Sequence, residues 1–246
     1  MAKKWPDSIE RYRKYVGWEC RDIPPDLVLA VIQNESNGVA GLAAGRQSKS
    51  RTYLPCADDT EKWVDRAYGL MQCVPGTVLS YNDYQRSRSD FDPNKLATWE
   101  DISGKDERAI RMQIAIGCYY LAVANKILNL NHPMSAPAKS LSNANADQIK
   151  LVLSSYAVGA GATDEKLKSL DEQNLKPTFA NIEKRFPDWG KPANRPVYYA
   201  KKVFNRFSNH TDTKYIDFES IKTKAKAGAL PIFLLAAFAA YQWRAK

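Results

Sequence analysis

The segment LVLAVIQNES, residues 27–36, places an ionisable side chain at the end of an apolar helix face. At helical spacing, Glu35 continues the face of Val31 and Ile32, four and three residues later. Its carboxyl group is therefore expected to point toward the core or its rim. A carboxyl group taken out of water has a raised pKa and stays protonated nearer neutral pH, as a general acid must.

This segment alone leaves a second interpretation of Glu35 open. A glutamate at a helix end can turn to solvent, or Asn34, Ser36 and nearby backbone donors can satisfy its carboxylate. Other parts of the chain must decide between a structural and a chemical role.

The composition indicates a globular protein with a basic tail. Hydrophobic residues make up 44% of the 246 residues and aromatic residues 11%, which is unlike a disordered chain. Of the net charge of +9, most belongs to residues 191–246, which hold 11 Lys/Arg against 3 Asp/Glu. A charge of this sign suits nucleic acid, an anionic lipid surface or an acidic wall polymer.

The tail also contains an uncharged apolar segment, AGALPIFLLAAFAAYQW, at residues 227–243. As a helix it would reach roughly 25 Å, close to the thickness of a bilayer core. The sequence therefore predicts a basic linker at 209–226 and a C-terminal transmembrane helix at 227–243, with a buried core helix or an oligomer contact as the alternative. Lysines and arginines flank this segment on both sides and leave its orientation open.

No secretory signal is recognisable in MAKKWPDSIERYRKY, so a protein that acts outside the cell would need another route out. The four cysteines show no metal-binding spacing and are interpreted as small core residues, although a bridge between Cys20 and Cys56 stays open. The isolated His132 and His210 are assigned neither metal binding nor catalysis. No cofactor and no metal site are expected.

Helix signals dominate, and the fold class predicted for residues 1–208 is all-α. The longest predicted helix, at 106–129, is apolar almost all round and should be the central one. Gly117 within it suggests the close approach of a neighbouring backbone. A small hairpin is the only strand structure expected, at 41–59. The other predicted helices lie at 8–19, 24–35, 75–84, 147–158, 178–186 and 195–208.

Four separated segments carry a resemblance to a known family when they are taken together. They are ESNG at 35–38, AYGLMQCVPGT at 67–77, QIAIGCYYL at 113–121 and SYAVGAG at 155–161. In content and order they resemble the soluble lytic transglycosylase domain, a goose-type lysozyme-like module that cuts peptidoglycan. The resemblance covers roughly residues 24–207 and implies a lysozyme-like fold.

The resemblance also implies roles for individual residues. Glu35 matches the catalytic acid/base at the end of its helix, and Ser36 follows it in the same motif. Positions that match the substrate cleft are Gly69, Leu70, Met71, Gln72, Tyr156 and Tyr199. Structural positions on the central helix are matched by Ile114, Gly117, Tyr120 and Leu121.

Several positions depart from the family pattern. Gln113 and Ala157 stand where the family usually has asparagine, and Arg195 stands where a glutamate is common. The stretch between Glu35 and Gly69 is longer than usual. It carries the basic residues Arg46, Lys49 and Arg51 and the acidic residues Asp58, Asp59 and Asp65.

The chemistry implied by the resemblance uses one carboxyl group. Glu35 would cleave the MurNAc-GlcNAc β-1,4 bond and form a 1,6-anhydroMurNAc end, with peptidoglycan as the partner. A hydrolytic muramidase that recruits an aspartate of the long stretch is the nearest alternative. A wall-binding structural component of a virion or secretion machine, weakened in catalysis, is another. Nucleic acid is the least expected partner, because the positive charge lies beside an apolar helix rather than among stacking aromatics.

A wall-cutting domain with a C-terminal anchor and no export signal suggests a phage protein carried in a virion that has a membrane. The sequence thus predicts localisation at a membrane, either in the particle or at the bacterial envelope. Virion or envelope proteins are then further candidate partners.

Overall fold

The computed structural model describes residues 3–44, 54–55, 62–63, 67–132, 140–190 and 196–211. This part of the chain is mainly helical, as predicted, with two small antiparallel strand pairs. Its strands are β1 Ala43–Ala44, β2 Leu54–Pro55, β3 Lys62–Trp63 and β4 Ala67–Tyr68. Its α-helices are α1 Asp7–Glu10, α2 Arg13–Glu19, α3 Pro25–Glu35, α4 Pro75–Arg86, α5 Trp99–Ser103, α6 Glu107–Asn131, α7 Ala146–Val158, α8 Ala160–Glu172, α9 Phe179–Arg185 and α10 Pro196–His210.

Two buried helices organise the core. Helix α3 begins at Pro25, whose ring suits the first helical position, and its residues 27–32 are all buried. Helix α6 begins after the capping side chain of Asp106 and is buried along most of its length. Helices α1, α2 and α10 pack on α3, whereas α2, α4, α5, α7 and α8 pack on α6.

The predicted positions of α3, α4, α6, α7, α9 and α10 agree with the structure to within a few residues. The helix predicted at 8–19 is divided into α1 and α2, because the chain turns at Arg11 and Tyr12. Both side chains donate hydrogen bonds to the carbonyl oxygen of Gly38, at 2.8 and 2.7 Å. Helices α5 and α8 were not predicted.

The hairpin predicted at 41–59 is wrong in its pairing. Strand β1 pairs with the distant β4, so that Ala43 faces Tyr68 and Ala44 faces Ala67. Strand β2 pairs with β3 instead. The β1–β4 pair ties the segment after α3 to the segment before α4.

A disulfide bond joins Cys20 to Cys118, which overturns the alternative of a bridge between Cys20 and Cys56. Cys20 follows α2 directly, and α2 packs on α6, which brings the two Cα atoms to 5.8 Å. Cys73 is a buried free cysteine, and Cys56 lies outside the described residues.

The described helices include none with the length and apolar character that crossing a membrane requires. The predicted transmembrane helix at 227–243 lies outside the described residues, as does all but the beginning of the predicted linker at 209–226.

Candidate functional site

Glu35 is the last residue of α3, and its carboxyl group lies largely out of solvent. Burial raises its pKa above the ordinary value of 4.5. Smaller opposing effects come from the Tyr199 hydroxyl, the Asn34 amide and the positive charge of Lys202. The net direction favours the protonated carboxyl group that a general acid needs, and it supports the chemical interpretation of this residue over the solvent-exposed one.

Helix α10 brings Tyr199 to this carboxyl group. It packs on α3 and α7 through an apolar face that includes Val203 and Phe207, and this places Tyr199 over the end of α3. The Tyr199 hydroxyl is buried beside Glu35 and Asn34, but within the described residues it makes no hydrogen bond of standard geometry. Burial and the nearby charge of Glu35 raise its pKa well above the ordinary value.

Tyr156, from helix α7, is the second tyrosine of the site. Its ring stacks near that of Tyr199, with centroids 6.4 Å apart and planes inclined by 12°, and its edge contacts Tyr120. Its hydroxyl donates a short hydrogen bond to the carbonyl oxygen of Met71. The pKa of Tyr156 is raised well above its ordinary value, mainly by burial. This hydroxyl therefore remains a donor at neutral pH.

Residues 68–73 form a closed loop beside the two tyrosines. The backbone amides of Tyr68 and Cys73 each donate to the other residue's carbonyl oxygen, at 3.0 and 2.9 Å. Gly69 and Gln72 take positive φ angles of 78° and 50° to close the loop. The Gln72 amide donates to the carbonyl oxygens of Gly69 and Leu42, and its own oxygen is buried without a partner among the described residues.

Gln113 holds this loop against the rest of the core. Its side-chain oxygen accepts from the Leu70 amide at 2.9 Å, while its nitrogen donates to the carbonyl oxygens of Asp101 and Gly104. A Cβ atom on Gly69 would lie 2.6 Å from the Gln113 side chain, so glycine is required there. The departure at Gln113 thus supplies a complete support for the loop, a role that sequence reasoning missed. A polar residue on a buried helix face was the available signal.

Met71 fills the space left by Gly117 on α6. A Cβ atom at Gly117 would lie 2.3 Å from the Met71 sulfur atom. The prediction of a close backbone neighbour at Gly117 is therefore wrong, because the neighbour is a side chain. The Met71 and Leu70 side chains are completely buried, and they shape the loop from within the core.

The Ser36 side chain is also buried. Its hydroxyl lies 2.9 Å from the Leu70 carbonyl oxygen and 3.1 Å from that of Ile32, and it accepts from the Gly38 amide. Ser36 thereby fixes the end of α3 to the loop at 68–73. The structure therefore brings together Glu35, Tyr156 and Tyr199, while Gln72 is bound to Leu42 and Gly69 and the Ser36, Leu70 and Met71 side chains are buried.

Cys73 is a further member of this cluster, although the sequence indicated only a small core residue. Burial raises the pKa of its thiol to about 12, with the nearby Glu35 adding to the rise and Tyr156 opposing it. The thiol is therefore protonated at neutral pH and lies beside the Tyr156 hydroxyl. Asn34 acts on Glu35, as the sequence allowed, whereas Lys202, which also acts on Glu35, was not identified from the sequence.

The sequence also contains positions that depart from the family pattern and charged residues in the long stretch between Glu35 and Gly69. Ala157 is exposed next to Tyr156. Other residues of interest lie outside the described part of the chain, namely Arg46, Lys49, Arg51, Asp58, Asp59, Asp65 and Arg195. In the described ranges no group of three or more His, Cys, Asp or Glu side chains is arranged to hold a metal ion.

Comparison with known proteins gives no relative for this arrangement. No family model, no curated protein and no solved structure matches the chain.

Proposed function

We propose that this protein is a peptidoglycan lytic transglycosylase with a lysozyme-like fold and that Glu35 is its single acid/base. The observation that carries the proposal is a buried carboxyl group with a raised pKa, located at the end of an apolar helix and beside two buried tyrosine hydroxyls. The resemblance of four ordered sequence segments to that family supports the same assignment.

In the proposed reaction, protonated Glu35 donates its proton to the glycosidic oxygen while the bond between that oxygen and C1 of MurNAc breaks. The substrate's own N-acetyl group stabilises the resulting positive charge at C1. Glu35, now a carboxylate, takes the proton of the sugar's 6-hydroxyl, whose oxygen bonds to C1. The acid is thereby regenerated and no water is consumed.

The surroundings of Glu35 suit a carboxyl group that first donates a proton and then accepts one. Burial favours the neutral form before the reaction, and Lys202 with the Tyr199 hydroxyl favours the carboxylate that exists in between. Among the described groups that shift the pKa of Glu35, none is another carboxylate.

The loop at 68–73 is proposed to line the cleft next to the scissile bond. Its shape is held by Gln113, by the Tyr156 hydroxyl and by its own closing hydrogen bonds, so it can present backbone groups and Gln72 rigidly to a sugar. Preorganised polar groups of this kind lose little entropy when the substrate binds. The apolar segment at 227–243 is proposed as a membrane anchor, in a virion or at the bacterial envelope.

The decisive experiment is the digestion of purified peptidoglycan by the full chain and by its Glu35→Gln variant. The released muropeptides are weighed by mass spectrometry. Transglycosylase products are lighter by one water, about 18 Da, than products of hydrolysis, and we expect them from the wild type and not from the variant. An Asp90→Asn variant is the control, because Asp90 is an exposed carboxylate paired with Arg88.

Other outcomes favour the alternatives. Hydrated products would overturn the transglycosylase reaction and indicate a muramidase. Activity that survives in Glu35→Gln would overturn the assignment of the acid. Wall binding without any released product, under conditions where a control lysin works, would indicate a structural component.

A further inference from the structure

A cleft of about 500 Å³ lies between the N-terminal helices and the segment that follows α3. Its walls come from the turn between α1 and α2, from α2, from residues 38–40, and from Lys105 and Ile110 at the start of α6. This volume is in the range of sites that hold a small molecule or a short peptide. None of the residues that line the cleft belongs to the site around Glu35.

The polar lining of this cleft is cationic and aromatic. Its charged residues are Arg11, Lys14 and Lys105, its aromatic residues are Tyr12 and Tyr15, and no carboxylate is among the lining residues. The negative charge recorded near this group is that of Glu107, which acts on Lys14. The cleft therefore carries a positive charge that an anionic ligand can neutralise.

Arg11 is held in a defined orientation at the edge of the cleft. Its Nη2 atom donates to the Tyr12 hydroxyl at 2.7 Å and to the Gly38 carbonyl oxygen at 2.8 Å. The Lys14 ammonium group lies 4.4 Å from the centre of the Tyr15 ring. A guanidinium group fixed by one nitrogen can offer its remaining N–H groups to a planar carboxylate.

The cleft is also close to the proposed reaction site along the chain. Gly38 and Val39 line it, and Gly38 follows Glu35 by only three residues, a backbone distance of at most about 11 Å. A wall peptide attached to a sugar bound at Glu35 is long enough to span a separation of this size.

We propose that this cleft binds the carboxylate groups of the peptide that peptidoglycan carries on the sugar next to the scissile bond. The inference rests on the proposed function, and it deepens that function by assigning a peptide-binding site to Arg11, Lys14 and Lys105. Carboxylates on a peptide tethered to the sugar match both the charge of the cleft and its short distance from Glu35. The enzyme then prefers glycan strands that carry peptides over bare strands.

The first test measures binding without cleavage. The probe is the peptide mixture that an amidase releases from purified peptidoglycan, added to the full chain and followed by calorimetry. Reversing two exposed charges in a Lys14→Glu, Lys105→Glu double variant should weaken binding roughly tenfold, since two attractive pairs become repulsive. Peptides whose carboxylates have been converted to amides should bind as weakly to the wild type.

A matched control uses two exposed lysines outside the cleft, in a Lys126→Glu, Lys184→Glu double variant. It has the same net charge as the first variant and should bind the peptides like the wild type. Equal binding by all three proteins, or equal binding of amidated peptides, would overturn the inference. So would binding of a phosphate-containing wall polymer by the same lysines when the peptides do not bind.

The second test separates failure of this site from failure of the proposed function. Wild type and both double variants digest intact strands and strands stripped of peptides by the amidase. We expect the wild type to cleave intact strands faster, and the Lys14→Glu, Lys105→Glu variant to lose that preference. Cleavage by the wild type with no such preference would overturn the inference and leave the proposed function standing. Charge-dependent peptide binding without any cleavage would overturn the function and leave the peptide site.

Discussion

Two buried polar clusters in this molecule are built in opposite ways. At the carboxyl end of α6, each ring nitrogen of His132 lies 2.9 Å from a carboxylate oxygen, one from Asp164 and one from Asp171. Around Glu35, by contrast, the Tyr199 hydroxyl and the side-chain oxygen of Asn34 are buried without hydrogen-bond partners in the described part of the chain.

The difference indicates what each cluster is for. A buried polar group without a partner costs free energy, and a ligand or a reaction that uses the group is one reason for a protein to retain it. The paired groups around His132 instead join the end of α6 to α8. We therefore expect changes in the His132 cluster to reduce stability and changes in the Glu35 cluster to reduce activity.

The largest effect on stability is expected from His132→Ala. This change leaves a cavity in place of a buried ring and removes one partner of the buried Asp164, which keeps Lys168 and Asn131, and it should lower the free energy of unfolding by about 3 kcal/mol. Urea denaturation measures the change. His210→Ala is the comparison: His210 stacks on Trp5 and its Nδ1 atom lies 2.8 Å from the Arg206 carbonyl oxygen, so about 1 kcal/mol is expected there. Equal losses in the two variants would contradict the structural role of the His132 cluster.

The next largest effect on stability is expected from Gly117→Ala, which should also reduce activity. The added methyl group would collide with Met71 and should cost about 2 kcal/mol in unfolding free energy, while displacing the loop at 68–73 and lowering wall cleavage. Gly17→Ala is the matched control, since a Cβ atom there meets nothing within 4 Å and alanine favours the helix. Thermal unfolding and dye release from labelled wall measure the two properties. Unchanged cleavage by a destabilised Gly117→Ala protein would show that the position of the loop at 68–73 does not affect the reaction.

A smaller effect of opposite sign on stability is expected from Tyr199→Phe. Removing a buried hydroxyl without a partner should raise the free energy of unfolding by about 1 kcal/mol, while the loss of its contact with Glu35 should lower cleavage between roughly tenfold and a hundredfold. Tyr120→Phe removes a hydroxyl that donates to the Ser155 carbonyl oxygen and should lower stability instead. A destabilised Tyr199→Phe protein with full activity would mean that the Glu35 cluster has a structural role.

The smallest effect is expected in the pH dependence of stability at Glu35. Its pKa is raised in the folded state, so the unfolded chain loses this proton first as pH rises above the ordinary value of 4.5. The contribution of Glu35 to stability is thus complete below that pH and declines as pH rises through the raised pKa. At neutral pH the Glu35→Gln variant should have a higher melting temperature than the wild type. Below about pH 4 the two proteins should melt at the same temperature. Identical melting curves at neutral pH would mean that Glu35 is solvated.

Much of the fold follows from patterns visible in the sequence. Helices α3 and α6 have long apolar faces and clear start signals, in Pro25 and Asp106, and both were predicted. Helix α8 was missed because its glycine-flanked start resembles a turn and its buried apolar side chains are few. The pairing of β1 with β4 depends on long-range contacts that no local pattern records.

The main residues of the candidate site were proposed from the sequence, whereas the contacts that hold the loop at 68–73 in place were not. Glu35, Tyr156 and Tyr199 stand on three helices, and the structure brings them together, while their roles in a reaction stay a prediction. A polar residue on a buried helix face marked Gln113, but its partners depend on the simultaneous approach of two backbone segments to one amide, which composition and spacing cannot indicate. The partner of Cys20 was similarly fixed by the packing of α2 on α6.

The bond between Cys20 and Cys118 spans 98 positions of the sequence and encloses both β1 and the whole loop at 68–73. A protease that cuts the chain once anywhere within this span would leave two fragments that stay attached to each other. Such a nicked protein would migrate as a single species on a non-reducing gel and separate into two only after a reductant is added. The α2–α6 contact would survive the cut, so damage to the surface segments of this span does not release the N-terminal helices from the core.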